Sequence, residues 1–266
     1  MMEMPNNNKR MNGKKRRLRN FVLSLFFGLL AMPAAAFDFS GWDALVKKHV
    51  RPKTVDGILI NAVDYKSLKD DPGFNNLIAG LNSARLNSLK TKQDKLVFWI
   101  NTYNIFAAKM VTDHYPIKSI KDAGSLFSRV WKKPAGLVGG KERTLNEIEH
   151  EILRKMDEPR IHVAIVCASV SCPDLRLEAY RVDRLNEQLD DQMKKFLKSS
   201  KKGMRIEGRG NRVYLSAIFK WFEEDFESRG GVLKFIGNYV SPEIAKELRR
   251  SGIKISYLDY NWGLNS

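Results

Sequence analysis

Both cysteines of the 266-residue chain fall in one stretch, residues 159–175, PRIHVAIVCASVSCPDL. The apolar, β-branched run 161–166 reads as a buried strand, followed by a turn and the start of a helix at Cys172-Pro173. At a helix N-cap the Cys172 thiol would meet unpaired backbone N–H groups and the positive end of the dipole. Such a setting lowers a thiol pKa and supplies oxyanion donors, although the neighbouring Asp174 works against it. A thiol nucleophile needs a base, and the candidates are His49, His114, His150 and His162. None follows Cys172, so the nucleophile-before-histidine order of papain-like enzymes is absent. A pair would run in permuted order, with His162 presented from the strand or His150 from a helix over 145–156. Asn101 and Asn104 lie three apart, on one side of an apolar helix over 94–111. They either orient the base or substrate or cap neighbouring backbone, the commoner task of a buried amide.

The chemistry these residues support is hydrolysis or acyl transfer at an amide or ester. Cys172 is the expected nucleophile and His162 the base, with Asn101 or Asn104 in support. The same cysteines also admit a Cys167–Cys172 disulfide, a redox pair or a buried inert role, and their spacing is not CxxC. Glu149-His150-Glu151 lacks the HExxH spacing of a helical zinc site, so no metal is expected. Glycine-rich phosphate loops and GxSxG elbows are absent, and no cofactor is expected. The aromatic tail 257–262 either lines a cleft, where it would stack on sugar rings, or docks the carboxy terminus onto the core.

Apolar residues at helical spacing mark helices over 42–50, 74–81, 96–111, 145–156, 185–197, 218–226, 232–239 and 244–248. Thr144 with Glu147 forms a capping box, and Ser216 precedes the 218/219/222/226 stripe. Strands are fewer: 161–166, a hairpin of 204–207 with 212–215, and an edge strand over 253–257. These pieces do not alternate as βαβ units. The expected fold class is therefore α+β, a helix-rich single domain with a small, mainly antiparallel sheet, spanning 37–266 without a linker.

Residues 1–36 carry seven Lys/Arg between Lys9 and Arg19, an apolar run over 21–32, and Pro33-Ala34-Ala35-Ala36. This is the order of a cleavable secretory signal, with cleavage near Ala36 and a periplasmic or secreted product. The apolar run is too short to span a bilayer comfortably, so no integral membrane span is expected in the mature chain. The formal charge of +16 drops to +10 without this segment. In that compartment the expected partners are a small-molecule or polymer substrate, or an anionic envelope component, and not nucleic acid. The densest later run, Lys194, Lys195, Lys198, Lys201 and Lys202, reads as a solvated face at a helix end. A non-catalytic module binding an anionic envelope polymer or a protein partner is the alternative reading.

Several blocks together resemble the family called domain of unknown function 547. They are FWINTYN (98–104), HYPIKSI (114–120), VGGK with TLNEIEHEIL (138–153), PRIHVAIVCASVSCP (159–173), LNEQLDDQ (185–192), LSAIFKWFEEDF (215–226) and YLDYNWGLN (257–265). The resemblance spans about 42–265. It implies a domain that is exported or membrane-associated in bacteria and attached to a coiled-coil segment in plants, and it supplies no catalytic assignment. Asn101, Asn104, His150, His162, Cys167 and Cys172 all lie in its blocks. The export reading is checked by intact mass of protein from the exported fraction: the expected mass is that of 37–266, and an unprocessed chain would return an uncleaved anchor.

Overall fold

Helix α4 (Lys92–His114) is the pillar on which the other elements are laid, in a computed structural model that describes residues 1–3, 37–124, 129–207 and 211–266. The chain divides into two units, Met1–Pro33 and Ala34–Ser266. Of the first unit only 1–3 are described, so the expected export signal lies outside the described residues. Everything below concerns the second unit.

In chain order before α4 come α1 (Ser40–His49), the antiparallel hairpin β1 (Val50–Val55) with β2 (Ile58–Val63), α2 (Tyr65–Lys69) and α3 (Pro72–Asn82). Helix α4 starts at a reciprocal capping box, Thr91 with Asp94, and is buried along both sides because α2, β3 (Pro134–Val138) and the segments after it all pack there. Strand β3 pairs antiparallel with β4 (Lys141–Thr144). The chain then makes a π-helix, Glu147–Leu153, closed by Asp157 in the left-handed region. One short turn, α5 (Ile161–Ala164), leads into an irregular loop that holds both cysteines, and α6 (Leu185–Lys198) follows. The rest comprises β5 (Met204–Ile206), β6 (Arg212–Leu215), α7 (Ile218–Trp221), α8 (Val232–Ile236), α9 (Pro242–Leu248) and β7 (Lys254–Tyr257). Strands β5 and β6 are antiparallel, and β7 joins β6 in parallel. The architecture is a helix-rich α+β fold whose strands are shared among three small sheets. Among the described residues no helix is long and apolar enough to cross a membrane.

Two apolar clusters make up most of the core. The larger surrounds α4, and the second is built from α6, the β5–β6–β7 sheet and the helices that follow it. The segment 161–166 lies at their junction: Ile161, Ala164, Ile165 and Val166 pack into the first cluster and Val163 into the second.

Three expectations about this region are corrected. Residues 161–166 are not a strand: a fully buried apolar run carries no periodicity to distinguish strand from helix, and it forms one helical turn and then an extended exit. No helix begins at Cys172, so its thiol meets no helix N-terminus. Asp174 is drawn away instead, accepting from the Asn61 backbone N–H (2.9 Å) and pairing with the buried Lys202 at 2.7 Å. The helix expected over 218–226 breaks after Trp221 into a 3₁₀ segment, Glu223–Arg229.

Asn104 and Asn101 replace the missing regular hydrogen bonds. The Asn104 amide donates to the Ala164 carbonyl (3.0 Å) and accepts from the Val166 N–H (2.8 Å). Asn101 does the same for the Tyr180 carbonyl and N–H, both at 2.9 Å. Replacing Asn104 by Ala leaves two buried backbone groups unpaired, an expected loss of about 2–4 kcal/mol. Urea unfolding of Asn104→Ala checks this, and a loss below about 0.5 kcal/mol, the size of a neutral surface change, would contradict it.

Candidate active site

The π-helix, the cysteine loop, α7 with the residue after it, and the closing tail converge on a cleft of about 380 Å³. A regular α-helix turns adjacent residues away from each other. The wider π turn presents both Glu149 and His150 to this cleft, a distortion often associated with functional sites.

The two sulfurs lie on the cleft wall, 3.1 Å apart, as free thiols. Cys172 is 3 % exposed, whereas Cys167 is partly exposed. Burial and the neighbouring Cys167 push the Cys172 thiol well above its ordinary range. Cys167 moves the other way, down to about 6, because Cys172 hydrogen-bonds to it and Ser169 and Tyr260 add further polar contacts. The Ser169 and Tyr260 hydroxyl oxygens are each 3.3 Å from its sulfur, and the Ser169 hydroxyl donates to the Tyr260 oxygen at 3.1 Å. With both thiols protonated the Cys167 sulfur donates to Cys172, and above about pH 6 Cys167 is the one favoured to ionise, the remaining proton staying on Cys172. The Cys167 backbone N–H donates to the Cys172 sulfur (2.9 Å), which keeps the two residues in register.

His162 lines the same cleft and is itself buried. Its Nε2 donates to Asp225 at 2.6 Å and its ring stacks on Phe222, with centroids 4.0 Å apart. Arg154 grips Asp225 with two hydrogen bonds of 2.7 Å. Burial opposes ionisation of Asp225, yet the hydrogen bonds from His162 and Arg154 hold its carboxyl well below the usual carboxylate range. Burial outweighs Asp225 at the imidazole and lowers the His162 pKa, so the ring is neutral. With the proton on Nε2, Nδ1 carries a lone pair, and it is buried with no hydrogen-bond partner among the described residues. Arg154 also donates to Nδ1 of His150 (3.1 Å). Burial first and Arg154 second lower the His150 pKa.

Glu149 accepts from the Tyr103 hydroxyl at 3.1 Å, and burial pushes its carboxyl up to about 7. Tyr103 and Tyr260 are pushed well above the ordinary tyrosine range, mainly by burial, and stay phenols that donate hydrogen bonds. Among the described residues no cluster of His, Cys, Asp or Glu is suited to holding a metal ion.

The structure thus brings Cys172, His162, Cys167 and His150 to one cleft. Asn101 and Asn104 bind backbone, and Asn104 positions the entry to the cysteine loop. His49 pairs with Asp71 (2.8 Å), and the His114 ring meets the Met110 carbonyl (2.9 Å), so neither joins the cleft. Asp225 carries no motif that spacing could reveal, and Glu149 stands out in sequence only as part of a failed metal pattern; Tyr260 and Trp262 of the aromatic tail do line the cleft, the first of the two readings that the tail allowed.

Fold and cleft together define a helix-rich α+β protein with a thiol pair set beside a His–Asp–Arg network. Its residues 86–197 match the family model described as Protein of unknown function, DUF547, and over that segment the chain resembles this family. The matched segment contains Tyr103, Glu149, His150, His162 and both cysteines; Asp225, Tyr260, Trp221 and Trp262 lie beyond it. No curated protein and no solved structure matches the chain.

The raised Glu149 carboxyl has a sign that can be measured. Between about 4.5 and about 7 the folded protein holds a proton that the unfolded chain has released. Stability from this group is therefore full below pH 4.5 and falls as pH rises through 7, by about 3 kcal/mol. The stabilising contribution of the lowered Cys167 runs the other way, rising with pH above about 6, and is common to wild type and Glu149→Gln. Urea unfolding at the two ends of the window should show Glu149→Gln gaining about 3 kcal/mol on wild type as pH rises. A difference that does not change with pH would contradict the assignment.

Proposed function

We propose that the protein is a cysteine-dependent hydrolase or acyl transferase for an ester or amide, with Cys167 as nucleophile, Glu149 as general acid and His162 as base. One observation carries the reading: a thiol with its pKa lowered to about 6 and a carboxyl raised to about 7 line one cleft. Between those values the cleft holds a thiolate and a proton donor together, the pair that acyl transfer through a thioester requires.

The Cys167 thiolate attacks the carbonyl carbon, a C–S bond forms and the carbonyl electrons move to oxygen. As the tetrahedral adduct collapses, the C–O or C–N bond breaks and the leaving group takes the Glu149 proton. A thioester and a Glu149 carboxylate remain. Water then gives a proton to Nδ1 of His162 and attacks the thioester, the C–S bond breaks and Cys167 departs as thiolate. The imidazolium returns its proton to Glu149. An acceptor alcohol or amine in place of water gives acyl transfer. Asp225 fixes the His162 tautomer and is a positioning residue, held in turn by Arg154. Cys172 supplies the hydrogen bond that keeps Cys167 ionised. This differs from the sequence expectation in placing the nucleophile on Cys167 and the supporting thiol on Cys172.

The segment 1–36 supports a periplasmic or secreted site of action, through its basic, apolar and small-residue order.

A panel of 4-nitrophenyl esters tests the reaction. Turnover should rise through about pH 6, fall above about pH 7, and leave a thioester trappable on Cys167. Cys167→Ala should abolish it, and Glu149→Gln should cost about 10²–10⁴-fold and remove the alkaline limb. Turnover that survives Cys167→Ala would overturn the proposal.

A further inference from the structure

The mouth of the cleft has a composition that its catalytic floor does not require. Trp221, 47 % exposed, stacks on Trp262 with ring centroids 5.6 Å apart and planes 21° apart. Tyr260 and Trp131 pack against Trp262 at 4.6 and 5.7 Å. All four rings line the cleft, and Tyr260 is also the residue that touches the Cys167 sulfur. The aromatic wall therefore runs without interruption from the thiolate to solvent. A contiguous aromatic surface continuous with a concave cleft is a common mark of a ligand face.

The charge at the mouth is of one sign. Of the lining residues, the two with permanent charge are cations, Arg129 and Lys132. Lys132 is exposed and makes no ion pair among the described residues. The Lys121 ammonium sits 3.6 Å from the centre of the Trp262 ring. Asp225, the nearby carboxylate, is already paired with Arg154 and hydrogen-bonded by the neutral His162 ring. Glu149, the one carboxyl that lines the cleft, is protonated below about pH 7. Lys132 thus stands at the opening with no carboxylate partner among the described residues.

We propose that this wall and Lys132 form a subsite for a carboxylated acyl compound with a flat ring, the ring lying on Trp221 and the carboxylate on Lys132 while the scissile carbonyl reaches Cys167. The inference rests on the acyl-transfer reading for what happens at the carbonyl, but the subsite itself is a statement about binding. Its function is selection: a ring without the acid lacks the cation contact, and an acid without the ring lacks the stacking surface.

The test uses Cys167→Ala protein, so that no turnover is needed. Two amides are titrated by tryptophan fluorescence at low ionic strength: the mono-anilide of glutaric acid, and the anilide of valeric acid, which has the same chain length and no charge. The anionic anilide should bind about fivefold tighter, the worth of one exposed ion pair of about 1 kcal/mol. Adding Lys132→Ala, a change at an exposed side chain, should reduce that preference to less than about twofold, and added salt should do the same. Adding Trp221→Ala should weaken both anilides by a similar factor and leave the preference standing. Equal binding of the two anilides, a preference that survives Lys132→Ala, or no binding of either overturns the subsite. Failure of the chemistry reads differently, as anionic preference in Cys167→Ala with no ester turnover by wild type. Failure of the subsite alone reads as ester turnover without any preference for the acid.

Discussion

A buried loop has to find partners for its backbone N–H and C=O groups outside itself, and the loop that carries the two cysteines is such a case. Residues 165–172 form no helix or strand, yet most of them are buried. Asn104 accepts from Val166, the Cys172 sulfur accepts from the Cys167 N–H, and the Ser169 carbonyl accepts from Cys172. The closing tail supplies the rest. Asn265 donates to the Ala168 carbonyl, and the carbonyls of Gly263 and Asn261 accept from Val170 and Ser171. The tail is in turn anchored by its own contacts: the Asn265 backbone carbonyl accepts from the Val63 N–H, and its side-chain oxygen accepts from the Tyr65 hydroxyl. Ala168, held at a φ of 60°, shows how firmly the loop is fixed, since a side chain at positive φ costs about 1–2 kcal/mol that the surroundings must offset.

This clamp makes the electrostatics of the cleft possible. A thiolate and a neutral carboxyl coexist only if each meets a different local environment over a short range. Cys167 faces three polar neighbours, the Cys172 thiol and the Ser169 and Tyr260 hydroxyls. Glu149 is enclosed, with the Tyr103 hydroxyl as its hydrogen-bond donor. Both microenvironments depend on α4: it carries Tyr103 directly, and through Asn104 it sets where the cysteine loop begins. Tyr260 belongs to the tail that zips against that loop. The floor of the cleft and the scaffold are thus held by the same few hydrogen bonds.

Much of the fold was legible in the sequence because amphipathic spacing survives wherever an element has one buried side. Helix α6 and the β5–β6 hairpin are examples. The hairpins β1–β2 and β3–β4 were missed although their turns, Asp56-Gly57 and Gly139-Gly140, all at positive φ, are the residues that two-residue turns demand. Strand β1 is mostly exposed and lysine-bearing, so the usual alternation was not there to be seen. The segment 161–166 failed for the opposite reason: buried on every side between two clusters, it has no polar phase. In the site, His162 and the cysteines stood out by residue type. Asp225 did not, because a lone carboxylate 63 residues from its histidine leaves no local pattern, and although the aromatic tail was a possible cleft wall, the contact of Tyr260 with a thiol 93 residues away left no trace. Glu149 was hidden by the assumption of α-helical geometry, which the π-helix breaks.

The division of labour between the two thiols is the point on which the account turns, and it can be measured without a substrate. Reduced protein is alkylated with iodoacetamide across a pH series and the modified peptides are mapped. The expected result is modification at Cys167 with half-maximal rate near pH 6, while Cys172 stays unlabelled until the protein unfolds. Labelling at Cys172 first, or a midpoint at Cys167 near the ordinary thiol value of about 8.5, would contradict it.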